Sequence, residues 1–322
     1  MSKSEISVVI PVLNQSVKIK RCLEAVFAQS LPPLEVIVVD GHSTDGTVAA
    51  ALDFQVKVYY QEHGAAGAAR QIGVENAVGD YVAFTDADCI PDGDWLQSLT
   101  DAFEDDIAAV GGGMINVGEG LWVKSINLAM TSFLGSGRSI QGRIFKTKQL
   151  VNWHGIGCFN GMYRREAIMA VGGFNVNLRG ADETELNRRL FKSGRKLLYT
   201  PDTVVRHDHG RGLKEFTINM YRYGTWRRQC RVWDLPVAPP LLAPLLLLSL
   251  VVTRWVFLPV MALYLFLLAG MGIKFAVKEK ELRYAVTIPI VYVIEHAGFI
   301  IGFWKEVFKP VKMPKTAGVP EP

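Results

Sequence analysis

The stretch YVAFTDADC, Tyr81 to Cys89, decides how this chain folds. An apolar run ends abruptly in two carboxylates, Asp86 and Asp88, one residue apart. Successive side chains of an extended strand point to opposite faces, so two acids separated by one residue emerge on the same side. Acids after a strand usually close a solvated turn, and the surrounding sequence has to choose between such a turn and a cation claw. Working outward, ISVVIPVL (6–13), LEVIVVD (34–40) and VKVYYQE (56–62) read as further strands, the first two ended by Asn14 and by the turn-rich GHSTDGT. Between them, VKIKRCLEAVFAQS (17–30) brings Ile19, Cys22, Leu23, Val26 and Phe27 to helical spacing, and AAGAARQIGVENAVG (65–79) reads as another helix. This alternation predicts an α/β fold with a mostly parallel sheet covered on both faces. In such sheets ligands bind beyond the carboxyl ends of the strands. Asp40, Asp86 and Asp88 all lie at such ends.

Composition bounds the rest. The chain has 322 residues, 49% of them hydrophobic, and a net charge of +4. Its apolar excess is concentrated after about Trp233. Cys22, Cys89, Cys158 and Cys230 form no zinc-type spacing and read as reduced thiols. The start, MSKSEISVVIPVLNQ, lacks the apolar core and cleavage site of a signal peptide, so the N-terminal domain is expected in the cytoplasm. PVLNQSVK stands where a dinucleotide fold would carry GxGxxG, and no GxxxxGK[ST] loop occurs. Neither a dehydrogenase nor a P-loop enzyme is supported.

Four segments follow from the hydropathy and charge pattern: an α/β domain over 1–210, a basic amphipathic helix over 211–234, apolar helices over 235–305, and a basic, disordered tail over 306–322. From Arg206 to Arg231 there are seven Lys or Arg against two acids, the composition of a helix lying on anionic headgroups. The apolar helices fall at about 235–253, 255–274 and 284–304. The first two suit spans of roughly 18–20 residues turning near Thr253 and Arg254. Glu295 and His296 in the third are costly against lipid, which favours two spans plus a re-entrant or interfacial segment. The expected location is the cell membrane, multi-pass, with no nucleic acid among the partners.

VVDGHSTDGT, GAAGAARQIG, FTDAD and GADETELNRRL occur in this order, and together they carry a resemblance that none carries alone. The chain resembles family 2 of the inverting glycosyltransferases over roughly residues 5–209. The resemblance implies a GT-A-type α/β/α domain that binds a nucleoside-diphosphate sugar. It assigns Pro11 and Asn14 to the loop lining the nucleoside, Asp40 to the base, and Arg70 to support of the nucleotide. Asp86 falls at the ribose and metal, Asp88 on the metal, and His207, with His209 as second choice, completes the metal shell. A nucleoside-diphosphate leaving group needs its charge neutralised, and Mg2+ or Mn2+ held by carboxylates does this. Inversion needs a base for the acceptor hydroxyl. Glu183 aligns with the family's base and Asp182 is the alternative, because the usual Glu-Asp order is swapped. Trp153, as a sugar platform, and Asn160 and Gly161 border the acceptor side.

QCRVW (229–233) misses the QxxRW of processive synthases, so transfer of a single sugar is expected. The membrane-attached C-terminus suits a polyprenyl-linked glycan, and a base motif favours its hydroxyl over polyprenyl phosphate itself, which is the alternative acceptor. Readings of other classes are a sugar nucleotidyltransferase, which would need a Gly-rich loop with a lysine, and a non-catalytic membrane scaffold.

Overall fold

The computed structural model of the chain describes residues 5–136, 145–208, 210, 212–230 and 238–307. His209, Arg231, Trp233 and the tail from 308 onward lie outside them. In chain order the elements are β1 (Ile6–Val12), α1 (Ser16–Phe27), β2 (Glu35–Asp40), α2 (Thr47–Leu52), β3 (Lys57–Tyr60), α3 (Ala66–Asn76), β4 (Tyr81–Phe84), β5 (Cys89–Pro91), α4 (Trp95–Asp101) and β6 (Ile107–Asn116). Next come α5 (Leu121–Met130), α6 (Phe133–Ser136), β7 (Gln149–Val151), β8 (Gly161–Arg164), α7 (Arg165–Ala170), α8 (Asp182–Lys192) and β9 (Lys196–His207). The chain continues through α9 (Leu213–Gln229), α10 (Ala238–Val252), α11 (Arg254–Lys278) and α12 (Tyr284–Val307).

The strands form one sheet in the order β3-β2-β1-β4-β8-β6-β9-β5, with β7 paired to β9. Strands β1 to β4 are parallel to one another. Beyond β4 the expectation of a mostly parallel sheet is corrected. β8 runs antiparallel to β4 and β6, β5 and β7 run antiparallel to β9, and only β6–β9 is parallel. The period-two pattern divides the core. Ile6, Val8, Ile10 and Val12 of β1 bury against Ile19, Cys22, Leu23 and Val26 of α1. Val9, Ile37 and Val39 face the other way, into the layer holding Val74 of α3 and Leu186 and Leu190 of α8. The β-branched residues are therefore strands buried on both faces, which is why polar alternation is missing from the sequence.

A close helix–sheet approach sets where α3 lies. At Gly73 an added Cβ would run into the Val9 side chain. Gly73→Ala is expected to cost about 1–3 kcal/mol of stability by overpacking, read as a lower denaturant midpoint.

Two compact units divide the described residues: a sheet unit (5–116 and 145–208) and a helical unit (117–136 and from 210 on). The stretch containing α5 and α6, inside the 1–210 segment of the sequence reading, groups with the C-terminal helices. In the helical unit Phe216 and Met220 of α9 pack with Ile288, Val291 and Tyr292 of α12. The α5–α6 stretch is tied to α12 by Ser125 Oγ to Thr287 Oγ1 at 2.7 Å and Ser132 Oγ to the Tyr292 hydroxyl at 2.7 Å. The Leu134 carbonyl lies 3.0 Å from His296 Nε2. Helices α11 and α12 are long and apolar enough to cross a membrane by length and composition. With 25 residues α11 reaches about 37 Å, against a hydrocarbon core of about 30 Å. The 15-residue α10 reaches only about 22 Å.

Candidate functional site

Parallel pairing brings the ends of β1, β2 and β4 to one edge of the sheet. At the end of β2 the Asp40 carboxylate is buried and accepts the Ser43 N–H at 2.8 Å and the Ser43 hydroxyl at 2.5 Å. Asn14, after β1, has φ of 52° and accepts the Thr44 N–H at 2.8 Å. These bonds stitch the loops behind β1 and β2 together, and Pro11 sits in β1 opposite Val39.

The turn from β4 to β5 carries Asp86 and Asp88, and β5 pairs Cys89 with His207 at the end of β9. Asp88 Oδ1 and His207 Nε2 lie 2.8 Å apart, and the other ring nitrogen of His207 faces Met114 of β6. Donor atoms of Asp86, Asp88, Cys89 and His207 all lie within 4.8 Å of one another. Burial and the two neighbouring carboxylates push the Cys89 thiol well up, so it stays neutral and is a poor ligand. Two carboxylates and an imidazole remain, a donor set that fits Mg2+ or Mn2+.

Arg70 of α3 joins this cluster to a second one. Its Nη2 donates to Asp86 Oδ1 at 2.8 Å and its Nη1 to Asp182 Oδ2 at 2.7 Å, while Glu183 Oε2 lies 4.0 Å away. Its buried Nε has no partner. Asp182 and Glu183 open α8, where a helix N-terminus favours negative charge. They are presented by Ala181 at φ 57°, a left-handed conformation that costs a non-glycine residue about 1–2 kcal/mol. The two acids differ in access: the Asp182 side chain is 4% exposed and the Glu183 side chain 23%. Burial, then the Asp182 charge, push the Glu183 carboxyl up to about 7 against the lowering effect of Arg70.

The residues expected on the acceptor side are placed differently from one another. Asn160 is buried, its amide spent on the Trp95 indole at 2.8 Å and the Gly113 carbonyl at 2.8 Å, so it ties the sheet. Gly161 is sheet backbone, paired with Phe84 and Gly111. Trp153 meets Phe191 of α8 edge to face at 5.2 Å, on the helix that carries Glu183. Sequence reasoning missed the bridging of Arg70 and the place of Met114 and Cys89. The resemblance named Arg70 as support for the nucleotide, but nothing marked its two partners.

The family model for glycosyl transferase family 2 matches residues 7–172. A pre-mycofactocin glycosyltransferase of Mycobacterium tuberculosis is 33% identical over 230 residues, 69% of this chain. The match spans about half of that relative, 47% of its length. A dolichyl N-acetyl-alpha-D-glucosaminyl phosphate 3-beta-D-2,3-diacetamido-2,3-dideoxy-beta-D-glucuronosyltransferase of Methanococcus voltae is 24% identical over 94% of this chain and 97% of its own. Among solved structures, the mannosyltransferase PcManGT of Pyrobaculum calidifontis, in complex with GDP-Man and Mn2+, matches with a TM-score of 0.59. That match covers 94% of this chain and 87% of the other, at 20% identity, and shows the same GT-A fold.

Proposed function

The chain belongs to glycosyl transferase family 2, and from that premise we propose that it moves one sugar from a nucleoside-diphosphate sugar to a hydroxyl of a lipid-linked glycan. The observation that carries this reading is Arg70, which links the cluster of Asp86, Asp88 and His207 to the acid pair at the start of α8. Such a linkage sets a leaving-group site beside a proton acceptor, as a displacement at the anomeric carbon requires.

Asp86, Asp88 and His207 would hold Mg2+ or Mn2+, which when bound offsets the charge of the departing diphosphate. The turn closed by Asn14, Asp40 and Ser43 lies at the edge that receives the nucleoside. Glu183 accepts the proton of the acceptor hydroxyl as it attacks from the face opposite the diphosphate, and the anomeric configuration inverts. A carboxyl raised to about 7 suits that task, since a base works best with a pKa near the working pH. Trp153, beside α8, gives an acceptor sugar an apolar platform.

The acceptor class rests on two supports. Helices α11 and α12 are apolar and membrane-length, and the Methanococcus voltae relative is named for a dolichyl-linked acceptor. On this reading the chain is membrane-anchored with its sheet unit in the cytoplasm. The experiment is a thermal-shift panel of nucleotide sugars with and without Mn2+, followed by assay of nucleoside-diphosphate release. One donor should raise the melting temperature only when Mn2+ is present. Absence of release from every sugar nucleotide, with a lipid-linked acceptor supplied, would overturn the proposal.

A further inference from the structure

We infer that Asp182 is a positioning residue which holds Arg70 between Asp86 and the start of α8, leaving Glu183 as the sole proton acceptor. The inference deepens the proposed function and rests on that reading for its link to turnover.

Three observations carry it. Arg70 is buried and spends Nη1 and Nη2 on Asp182 and Asp86, at 2.7 and 2.8 Å. Asp182 has no room for a substrate hydroxyl: it is 4% exposed, and a Cβ added at Gly67 would lie 2.7 Å from Asp182 Cβ. Glu183, next along α8, keeps 23% of its side chain accessible and stands 4.0 Å from the same guanidinium. Arg70 is thus engaged before a reaction starts. Were Asp182 neutral, the nearest base-side charge left for Nη1 would be Glu183, and an ion pair there would turn a base into a spectator.

Among the described residues, the charged or titratable groups facing Glu183 come from several elements. Asp182 lies on its own helix, Arg70 on α3 and Asp86 in the turn after β4. Cys158, before β8, and Tyr163, on β8, also face it, and burial keeps both neutral. Asp182→Asn removes one negative neighbour and releases one positive partner, so both changes favour ionised Glu183. Its basicity falls.

The test uses the full chain and the donor found by thermal shift, with nucleoside-diphosphate release followed from pH 5.5 to 9. Asp182→Asn is expected to keep measurable turnover, about tenfold down at alkaline pH, with its acid limb moved to lower pH by about one unit or more. Asp182→Glu should restore the wild-type limb, and Glu183→Gln should be inactive at every pH. A readout independent of turnover is the pH dependence of melting. Glu183→Gln should raise the melting temperature at pH 8 in the wild-type background and lose that effect in the Asp182→Asn background. An active Glu183→Gln beside a dead Asp182→Asn makes Asp182 the base and overturns the inference. An unmoved acid limb and an unchanged melting difference reduce Asp182 to a merely structural part, which also overturns it. If wild type releases no nucleoside diphosphate, the functional proposal fails, while the melting comparison still decides the positioning role.

Discussion

Glutamine in place of Glu183 is expected to cut turnover about a thousandfold, within the range that general bases contribute. Binding of the sugar nucleotide and of Mn2+ should stay within about twofold, because the side chain lies outside the donor set of Asp86, Asp88 and His207. The same substitution should stabilise the protein. A folded-state pKa near 7 exceeds the ordinary 4.5, so Glu183 supports the fold fully below pH 4.5 and loses that support as the pH rises through 7. At pH 8 the ionised carboxylate, partly desolvated beside Asp182, is a net burden on the fold, which glutamine removes. Wild type should show an acid limb near its raised pKa, with activity rising as Glu183 ionises. Loss of activity with gain of melting temperature at pH 8, and no gain at pH 4, is the combined signature. A variant that loses both activity and stability at pH 8 would contradict the raised pKa and the role together.

Alanine in place of Asp88 is expected to have the other large effect. The carboxylate faces His207 Nε2 at 2.8 Å and belongs to the same donor set as Asp86. Removing it deletes a carboxylate from the donor set proposed to hold Mg2+ or Mn2+. Mn2+ affinity should fall about a hundredfold or more, since such affinities track the ligand charge count. Turnover should fall about a thousandfold, as it does when transition-state charge loses its stabilising partner. Calorimetric titration with Mn2+ measures the first and nucleoside-diphosphate release the second. Chelation of the wild type should reproduce the kinetic effect, and Mn2+ should reverse it in wild type alone. Donor binding that is indifferent to both chelation and Asp88→Ala would place the diphosphate elsewhere.

What could be read without coordinates follows from how far each interaction reaches along the chain. Runs such as Val36–Val39 betray a strand because both faces of β2 are covered, and the signal lies in adjacent residues. The three-residue strands β5 and β7 carry no period to detect, so the switch to antiparallel pairing beyond β4 stayed hidden. Asp86, Asp88 and His207 were named together by the family resemblance, and the structure brings their donor atoms within 4.8 Å of one another. The alignment put Glu183 before Asp182, but the contacts that distinguish the two were not legible. Those contacts involve Arg70, 112 residues upstream of Asp182, and the close approach of Gly67. The grouping of α5 with the C-terminal helices was equally hidden, because Ser125 finds Thr287 at a separation of 162 residues.

That grouping has a practical meaning for anyone who would cut the protein. A fragment ending behind β9 would keep α5 and α6 but lose Thr287, Tyr292 and His296, the polar groups that hold them. Ile126 and Ala129, now buried in the helical unit, would be left naked on the truncated product. The helical part is therefore a discontinuous module, formed by two separate stretches of chain and severable only if the insert between β6 and β7 leaves with it. Domain grafts and deletions designed from the linear sequence alone would leave the α5–α6 stretch without the apolar and polar partners it packs on.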